Sequence, residues 1–217
     1  NVFLAATDRV AIDATGLVVA PGFVDVHTHS DLTLIVDPRA ESQIRQGVTT
    51  EVIGQCGVSL APCTDESRRA RLQSMGAPDL GPWKSYAELL DVMDQAGIAT
   101  NVVGMVGHGA LRDVVMGLDA TRPATDEEVE AMVRLLEQAL EEKKPDILYA
   151  CGPVAMLKRI ISLSQTHDFP CQVSIETMMA CGMGACLGCA MEQRGSAAKY
   201  LHACMDGPVF PADMLKF

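Results

Sequence analysis

Cysteines near the carboxyl end of the chain have a spacing that could bind metal. Cys181, Cys186 and Cys189 stand within nine residues, and Cys204 follows after fourteen more. The order C-x₄-C-x₂-C with a distant fourth cysteine is the plant-type arrangement, in which four thiolates hold the two irons of a [2Fe–2S] cluster. Glycines interleave with the first three cysteines, so the loop can fold tightly and aim backbone N–H groups at sulfur. The spacing predicts a cluster loop.

Zinc binding, disulfide formation and simple burial fit these cysteines less well. A structural zinc site usually has two short paired spacings, which this pattern lacks. Disulfides are disfavoured because no secretory leader is visible, and chance burial does not account for cysteines alternating with glycines. Cys151 and Cys171 lie outside the pattern, and we interpret them as buried thiols.

A second group of candidate ligands stands in the first half of the chain. LVVAPGFVDVHTH, residues 17–29, predicts a buried strand that ends in His27 and His29. Residues two apart in a strand point to the same side, so both imidazoles can reach one point. With Cys56 they form a nitrogen and sulfur set that suits Zn²⁺, which lowers the pKa of bound water. The alternative to metal binding is that Cys56 is a small buried apolar residue. A histidine such as His108 would then be a hydrogen-bonded structural residue.

The elements around these histidines predict a parallel α/β arrangement. Strands are expected over 17–29, 48–54 and 100–112, the last with His108 at its end. Helices are expected over 85–97 and 126–142, and Thr125 and Glu128 have the spacing of a capping box. Strands alternating with helices indicate about three βα units of a partial TIM-barrel-like repeat. The candidate ligands would then collect at the carboxyl ends of the strands.

The last third of the chain has a different composition. Residues 1–142 carry 22 acidic and 10 basic side chains, whereas residues 143–217 carry 6 and 7, together with six of the eight cysteines. A strand over 146–151, a helix over 154–165 and a strand over 171–176 predict a small α/β segment before the cluster loop. We therefore expect two domains, 1–142 and 143–217.

The first part resembles a known family of hydrolases. The stretches IDATGLVVAPGFVDVHTHSD, RQGVTTEVIGQCGVSLAP and VGHGALRDVVMG are similar to the N-terminal part of the N-acyl-D-amino-acid deacylases, in the amidohydrolase superfamily. The resemblance covers residues from about 10 to 140. It implies that His27, His29 and Cys56 bind zinc and that metal-bound hydroxide attacks the amide of an N-acyl-D-amino acid.

The same resemblance implies that the zinc site is incomplete. The family's barrel has eight strands, and its later strands supply further metal-binding histidines and an aspartate that acts as general base. His167 and His202 are the remaining downstream histidines, and their surroundings do not resemble those strands. We therefore expect a truncated and inactive hydrolase in this part.

The second part resembles a redox protein. DILYACGPVAML, ETMMACGMGACLGCAM and YLHACMDGPVF are similar to the C-terminal end of the electron-transfer subunit of dihydroorotate dehydrogenase, an iron–sulfur flavoprotein of pyrimidine biosynthesis. The resemblance implies that Cys181, Cys186, Cys189 and Cys204 hold [2Fe–2S] and pass electrons between FAD and the flavin of a catalytic partner subunit, with NAD as acceptor. It also places Cys151-Gly152-Pro153 near the nicotinamide or flavin. The family's FAD-binding region is not among these residues.

The two resemblances meet between RLLEQALEE and KKPD. The junction indicates a recombined or engineered chimera, an error in assembling the sequence, or a natural fusion, and natural fusions usually join whole domains. A net charge of −11 argues against nucleic-acid or anionic-membrane partners, and no window predicts a membrane span. The expected protein is cytoplasmic, with the [2Fe–2S] centre as its complete site and a deacylase fragment as the alternative function.

Overall fold

The computed structural model describes residues 13–118, 120–195 and 199–217. The chain divides into two compact units. The first unit runs to Lys84 and includes Glu88–Ala110, and the second comprises Ser85–Ala87 and Leu111–Phe217. Small sheets and helices alternate in both, so the mixed α/β class expected from the sequence is confirmed.

A parallel three-stranded sheet organises the first unit. Its strands are β1 (Phe23–Asp25), β2 (Val48–Ile53) and β3 (Asn101–Gly104), and β2 lies in the centre. The register pairs Val24 with Thr50, and Glu51 with Val102. Parallel strands joined by helical crossovers present their carboxyl ends at one edge, which brings the segments after β1, β2 and β3 together.

Helices connect these strands. They are α1 (Thr33–Val36), α2 (Glu41–Ile44), α3 (Asp65–Ser74) and α4 (Tyr86–Ala96), and α5 (His108–Met116) follows β3. Helix α3 begins with a capping box between Thr64 and Ser67. Beneath it, the indole Nε1 of buried Trp83 donates to the Leu60 carbonyl at 3.0 Å, and the Arg68 guanidinium lies 5.4 Å from the indole centroid.

Two strand predictions of the first unit need correction. The strand expected over 17–29 is only the three residues of β1, and it is not buried, since Val18 is 94% exposed. Strand β1 is an edge strand that pairs with β2 alone, so only a short ladder fixes an extended backbone. The strand expected over 100–112 ends at Gly104, and His108 begins helix α5 instead of ending a strand. The strand expected over 48–54 is confirmed as β2.

The second unit begins with helices that the sequence anticipated. Helix α6 (Asp126–Glu142) has the expected capping box, in which Thr125 and Glu128 exchange side-chain to backbone hydrogen bonds. Helix α7 (Val154–Thr166) follows, and Arg159 on it forms an ion pair with Glu130 on α6.

The core of the second unit lies under a mixed sheet. Strand β5 (Cys171–Ser174) pairs in parallel with β4 (Leu148–Cys151) and antiparallel with β8 (Val209–Pro211). A buried cluster joins this sheet to α7; its members are Leu157, Ile161, Val173, Ile175, Phe210, Ala212 and Leu215.

A hairpin packs on the same core and sets up the cysteine region. Strands β6 (Ala190–Glu192) and β7 (Tyr200–His202) are antiparallel, with Ala190 opposite His202. Met191 and Leu201 of this hairpin pack against the buried cluster. Among the described residues, no helix combines the length and the apolar character that crossing a bilayer demands.

Candidate metal and cluster sites

Two histidines and a cysteine come together at the strand ends of the first unit. The Sγ of Cys56 lies 3.5 Å from the Nε2 of His27 and 3.5 Å from the Nε2 of His29. One ligand atom from each residue falls within 4.8 Å of the others, and all three side chains are exposed. A metal ion in contact with all three would have two nitrogen ligands and one sulfur ligand, a set that suits zinc.

The turn that carries Cys56 has an unusual backbone. Gly54 at φ 83°, Cys56 at φ 56° and Gly57 at φ 75° all lie in the left-handed region. A side chain at residue 54 would collide with the carbonyl oxygen of Met105, so glycine permits the close approach of the two loops. A cysteine held at positive φ is a strained position of the kind that clusters at functional sites.

A buried glutamine ties the two ligand-bearing segments together. The Nε2 of Gln55 donates to the carbonyl oxygen of Val26 at 2.8 Å and to that of Val52 at 3.0 Å. Val26 directly precedes His27, and Gln55 directly precedes Cys56. One side chain therefore fixes the distance between the end of β1 and the Cys56 turn.

A second set of buried polar groups lies just after His29. The backbone N–H of Gly54 donates to Asp31 Oδ1 at 2.9 Å. Burial is the main cause that raises the pKa of Asp31. The hydroxyl of Ser30 donates to Glu51 Oε2 at 2.5 Å, and the hydroxyl of Thr100 donates to Glu51 Oε1 at 2.9 Å.

We call His27, His29 and Cys56 the metal group, and His108 does not belong to it. The ligand atoms that approach one another across the described part of the chain are those of His27, His29 and Cys56. His108 is exposed at the start of α5, several residues after β3 ends. This placement favours the alternative interpretation, in which His108 has a structural role.

The cysteine loop of the second unit places Cys181 beside Cys186. The backbone N–H groups of Met183 and Cys186 donate to the Sγ of Cys181 at 3.5 and 3.4 Å. These hydrogen bonds lower the pKa of Cys181 to about 6. The loop therefore favours a thiolate, which is the form that binds metal.

The hairpin brings the other two cysteines together. Cys189 directly precedes β6, Cys204 follows shortly after β7, and their Sγ atoms lie 3.4 Å apart. The backbone N–H of Ala203 donates to the Cys189 carbonyl at 3.2 Å and extends the ladder to this point. The hydrogen bond with Cys189 is the main cause that raises the pKa of Cys204. A bound cation reverses that effect, because a coordinating thiol is deprotonated outright.

The remaining cysteines and histidines lie elsewhere. Cys151 is exposed, with its thiol 3.8 Å from Glu176 Oε1, so its interpretation as a buried thiol is wrong. It ends β4, where the following turn leaves the side chain outside the core. Cys171 is half-buried, and burial raises its pKa. His167 directly follows α7 and stacks on Phe169, and His202 lies on β7, with its Nδ1 3.7 Å from an Asp206 carboxylate oxygen.

Sequence reasoning missed the buried polar groups on the segments next to the candidate ligands. Glu51 is a charged residue inside the apolar strand VTTEVI, and Ser30-Asp31 directly follow the HTH stretch. A carboxylate in an otherwise buried strand needs polar partners, so its position was a signal. The partners themselves come from distant segments, and a pattern along the chain does not show them.

Parallel strands with a histidine and cysteine group at their ends are typical of metal-dependent hydrolases. The chain belongs to the amidohydrolase family, whose model matches residues 10–150. A second model, the iron–sulfur cluster binding domain of dihydroorotate dehydrogenase B, matches residues 176–216. Both family resemblances expected from the sequence are confirmed.

Named relatives of both families match the chain. The N-acyl-D-aspartate deacylase of Alcaligenes xylosoxydans xylosoxydans is 42% identical over 139 residues, which are 64% of this chain and 28% of the relative. A probable dihydroorotate dehydrogenase B (NAD(+)) electron transfer subunit of Methanopyrus kandleri is 30% identical over 178 residues, which are 80% of this chain and 58% of the relative. The chain thus spans little more than a quarter of the deacylase and over half of the redox subunit.

Solved structures of deacylases are also similar to this chain. An N-acyl-D-glutamate deacylase from Bordetella bronchiseptica, complexed with zinc and a phosphonate inhibitor, gives a TM-score of 0.52 at 27% identity; the match covers 71% of this chain and 34% of that one. A D-aminoacylase studied for its binuclear metal centre gives a TM-score of 0.50 at 33% identity, over 69% of this chain and 33% of that one.

Proposed function

We propose that the cysteine region, within a domain formed by residues 143–217, binds a [2Fe–2S] cluster and relays electrons. The observation that carries the proposal is the pairing of the thiols. Cys186 donates its N–H to the sulfur of Cys181, and Cys189 lies beside Cys204. A [2Fe–2S] cluster held by four thiolates has two protein ligands on each iron, so two neighbouring pairs match it better than one group of four.

The chain's own groups favour cluster binding in two ways. N–H groups at Cys181 favour the thiolate, and N–H donors around cluster sulfurs tune the reduction potential. The hairpin fixes Cys189 and Cys204 to the buried core of the second unit, so this pair has little freedom to move. When bound, the cluster supplies one-electron transfer.

Iron and acid-labile sulfide measured after anaerobic reconstitution test this proposal. The expected result is about two irons and two sulfides per chain, with a rhombic electron paramagnetic resonance signal after reduction. Cys204→Ser should lose most of the iron, whereas the matched control Cys171→Ser should retain it. A reconstituted chain without iron, or equal iron in both variants, would refute the proposal.

We infer the role in electron transfer from the relatives that contain this domain. They include named electron transfer subunits of dihydroorotate dehydrogenase B. We propose the catalytic flavoprotein subunit of such an enzyme as partner, with its flavin on one side of the cluster, FAD on the other side and NAD as the final acceptor. Mixing the reconstituted protein with that subunit and dihydroorotate should then reduce the cluster, and an unchanged visible spectrum would contradict the partnership.

A second function is supported by the group of His27, His29 and Cys56, whose ligand atoms converge within 4.8 Å. We propose that they bind zinc within residues 1–142, a partial TIM-barrel-like repeat of about three βα units. Zinc in such a site activates water for attack on an amide. The exposed side chains leave the metal side open, as a catalytic metal requires. N-acyl-D-amino acids are the proposed substrate class, on the strength of the deacylase relatives.

Hydrolysis assays with metal titration test this second function. This second function requires other groups of the chain to replace the later metal ligands and the general base that the sequence lacks. Release of a D-amino acid from its N-acyl form should then require added zinc and should disappear in His27→Ala, whereas His108→Ala should keep it. Binding of zinc without hydrolysis would leave a metal site and reject the deacylase activity. Neither binding nor hydrolysis would reject both.

A further inference from the structure

Four buried polar residues surround the metal group without belonging to it. Together Ser30, Asp31, Glu51 and Thr100 form what we term the positioning network. Each is largely or fully buried, whereas the three candidate ligands are exposed. Buried polar groups need hydrogen-bond partners, so their arrangement is fixed by the fold rather than by solvent.

The network joins the same segments that carry the ligands. Asp31 lies two residues after His29 and accepts the N–H of Gly54, two residues before Cys56. Ser30, directly after His29, donates to Glu51 in the central strand β2. Thr100, directly before β3, donates to the other oxygen of Glu51. The segment after His29 is therefore held at two points to β2 and to the turn beyond it.

We infer that Asp31 and Glu51 are positioning residues, which hold His29 against the Cys56 turn at the separation that a shared metal ion needs. The inference rests on the proposed zinc site and adds the groups that set its geometry. It differs from the direct tie through Gln55, which fixes the segment before His27.

The backbone of the Cys56 turn accounts for the need for such support. Cys56 has φ 56°, a conformation that costs a non-glycine residue free energy and persists only when its surroundings enforce it. The N–H of Gly54 would otherwise be free to turn toward solvent, and the turn could relax to ordinary backbone angles. The Asp31 carboxylate opposes that relaxation through its hydrogen bond at 2.9 Å.

Two variants at Asp31 separate the effect of losing the hydrogen-bond acceptor from the effect of losing the charge. Asp31→Ala removes the acceptor of the Gly54 N–H, whereas Asp31→Asn keeps an acceptor oxygen in the same place. Co²⁺ replaces zinc as the probe, because its thiolate charge-transfer band reports the Cys56 sulfur. The spectrum of a His27→Ala, His29→Ala double variant is subtracted from each spectrum. The subtraction removes the bands of Co²⁺ bound to the other cysteines. Ser67→Ala, a buried capping serine far along the chain, is the control for lost stability.

Asp31→Ala should weaken Co²⁺ binding by about 10- to 100-fold, the usual effect of removing a group that supports a metal ligand, and should diminish the band. Asp31→Asn should stay within about threefold of the unchanged chain, and Ser67→Ala should leave the band as it was. Ser30→Ala, which takes a donor from Glu51, should act in the same direction as Asp31→Ala. Equal affinity and equal bands in Asp31→Ala and Asp31→Asn would overturn the inference.

Hydrogen exchange without metal provides the second readout. The peptide that contains Gly54 should exchange faster in Asp31→Ala than in Asp31→Asn, because only the former leaves that amide without an acceptor. If the unchanged chain binds no Co²⁺, the zinc function is refuted and positioning is decided by this exchange alone. Equal exchange in the two variants would then overturn the inference as well.

Discussion

Replacement of Val173 by alanine tests whether the two units are energetically separate. Val173 is fully buried in β5, between Ala150 of β4 and Phe210 of β8, and it belongs to the cluster that includes Leu157 of α7. The change removes two methyl groups, which are worth about 1.6 kcal/mol of transfer free energy. The cavity left behind adds to this cost, so we expect a loss of about 2–3 kcal/mol from the second unit.

Two probes report the two units independently. The chain has one tryptophan, Trp83, which is 1% exposed and lies in the first unit. Its fluorescence during urea unfolding follows that unit alone. Hydrogen exchange of the α7 peptide follows the second unit, and a loss of about 2–3 kcal/mol should accelerate its slowest amides by about 30- to 150-fold, at about 1.4 kcal/mol for each factor of ten.

The expected outcome for Val173→Ala is fast exchange in α7 with an unchanged Trp83 midpoint. Leu34→Ala is the reciprocal variant, because Leu34 is buried in α1 of the first unit. It should cost about 2–5 kcal/mol there and lower the Trp83 midpoint without affecting α7. A Trp83 midpoint that falls in Val173→Ala would show that both units unfold together, and unchanged α7 exchange would refute the assigned core.

Three further changes have outcomes fixed by local geometry. Thr125→Ala removes the cap of α6 and should cost about 1 kcal/mol, seen as roughly fivefold faster exchange in that helix; no change would contradict the cap. Arg122 and then the Thr125 backbone N–H lower the pKa of Glu128 from 4.5 to about 2, so Glu128 stabilises the fold above pH 4.5 and loses this effect as the pH falls through 2. The stability difference from Glu128→Gln should therefore vanish below about pH 2, and persistence there would exclude this cause. Gly54→Ala meets a main-chain carbonyl and should weaken Co²⁺ binding, whereas the control Gly76→Ala, at similar φ in open space, should not.

Local sequence patterns predicted helices α4, α6 and α7 and the central strand well, whereas α3 and α5 were not predicted. The capping box at Thr125 fixes the start of α6, and the apolar run 48–54 corresponds to β2. These features depend on neighbours along the chain, which a sequence displays directly. Edge strand β1 was overestimated because apolar residues such as Val18 suggest burial, whereas burial depends on elements that pack from elsewhere.

The same distinction between local and distant features applies to the candidate sites. The alternation of His27 and His29 and the cysteine spacing were visible in the sequence, because each lies within a short segment. The partners of Glu51 were not, since Ser30 lies 21 residues before it and Thr100 lies 49 residues after it. Hydrogen bonds at such separations follow from the fold, and no local pattern encodes them.

Because their ligands differ in sequence separation, the two sites need different amounts of structural support. Cys181, Cys186 and Cys189 lie in one loop, and a short hairpin returns Cys204 to it, so closing that site costs little chain entropy. The metal group instead joins His29 to Cys56 across 27 residues, and its turn holds a cysteine at positive φ. A site assembled from distant strands needs buried support to keep its ligands together, and the carboxyl groups of Asp31 and Glu51 are placed to supply it. Loss of packing in the first unit should therefore abolish metal binding at His27, His29 and Cys56 before Trp83 is exposed. Iron bound to the cysteine loop after reconstitution should be retained as long as the core around Val173 stays intact.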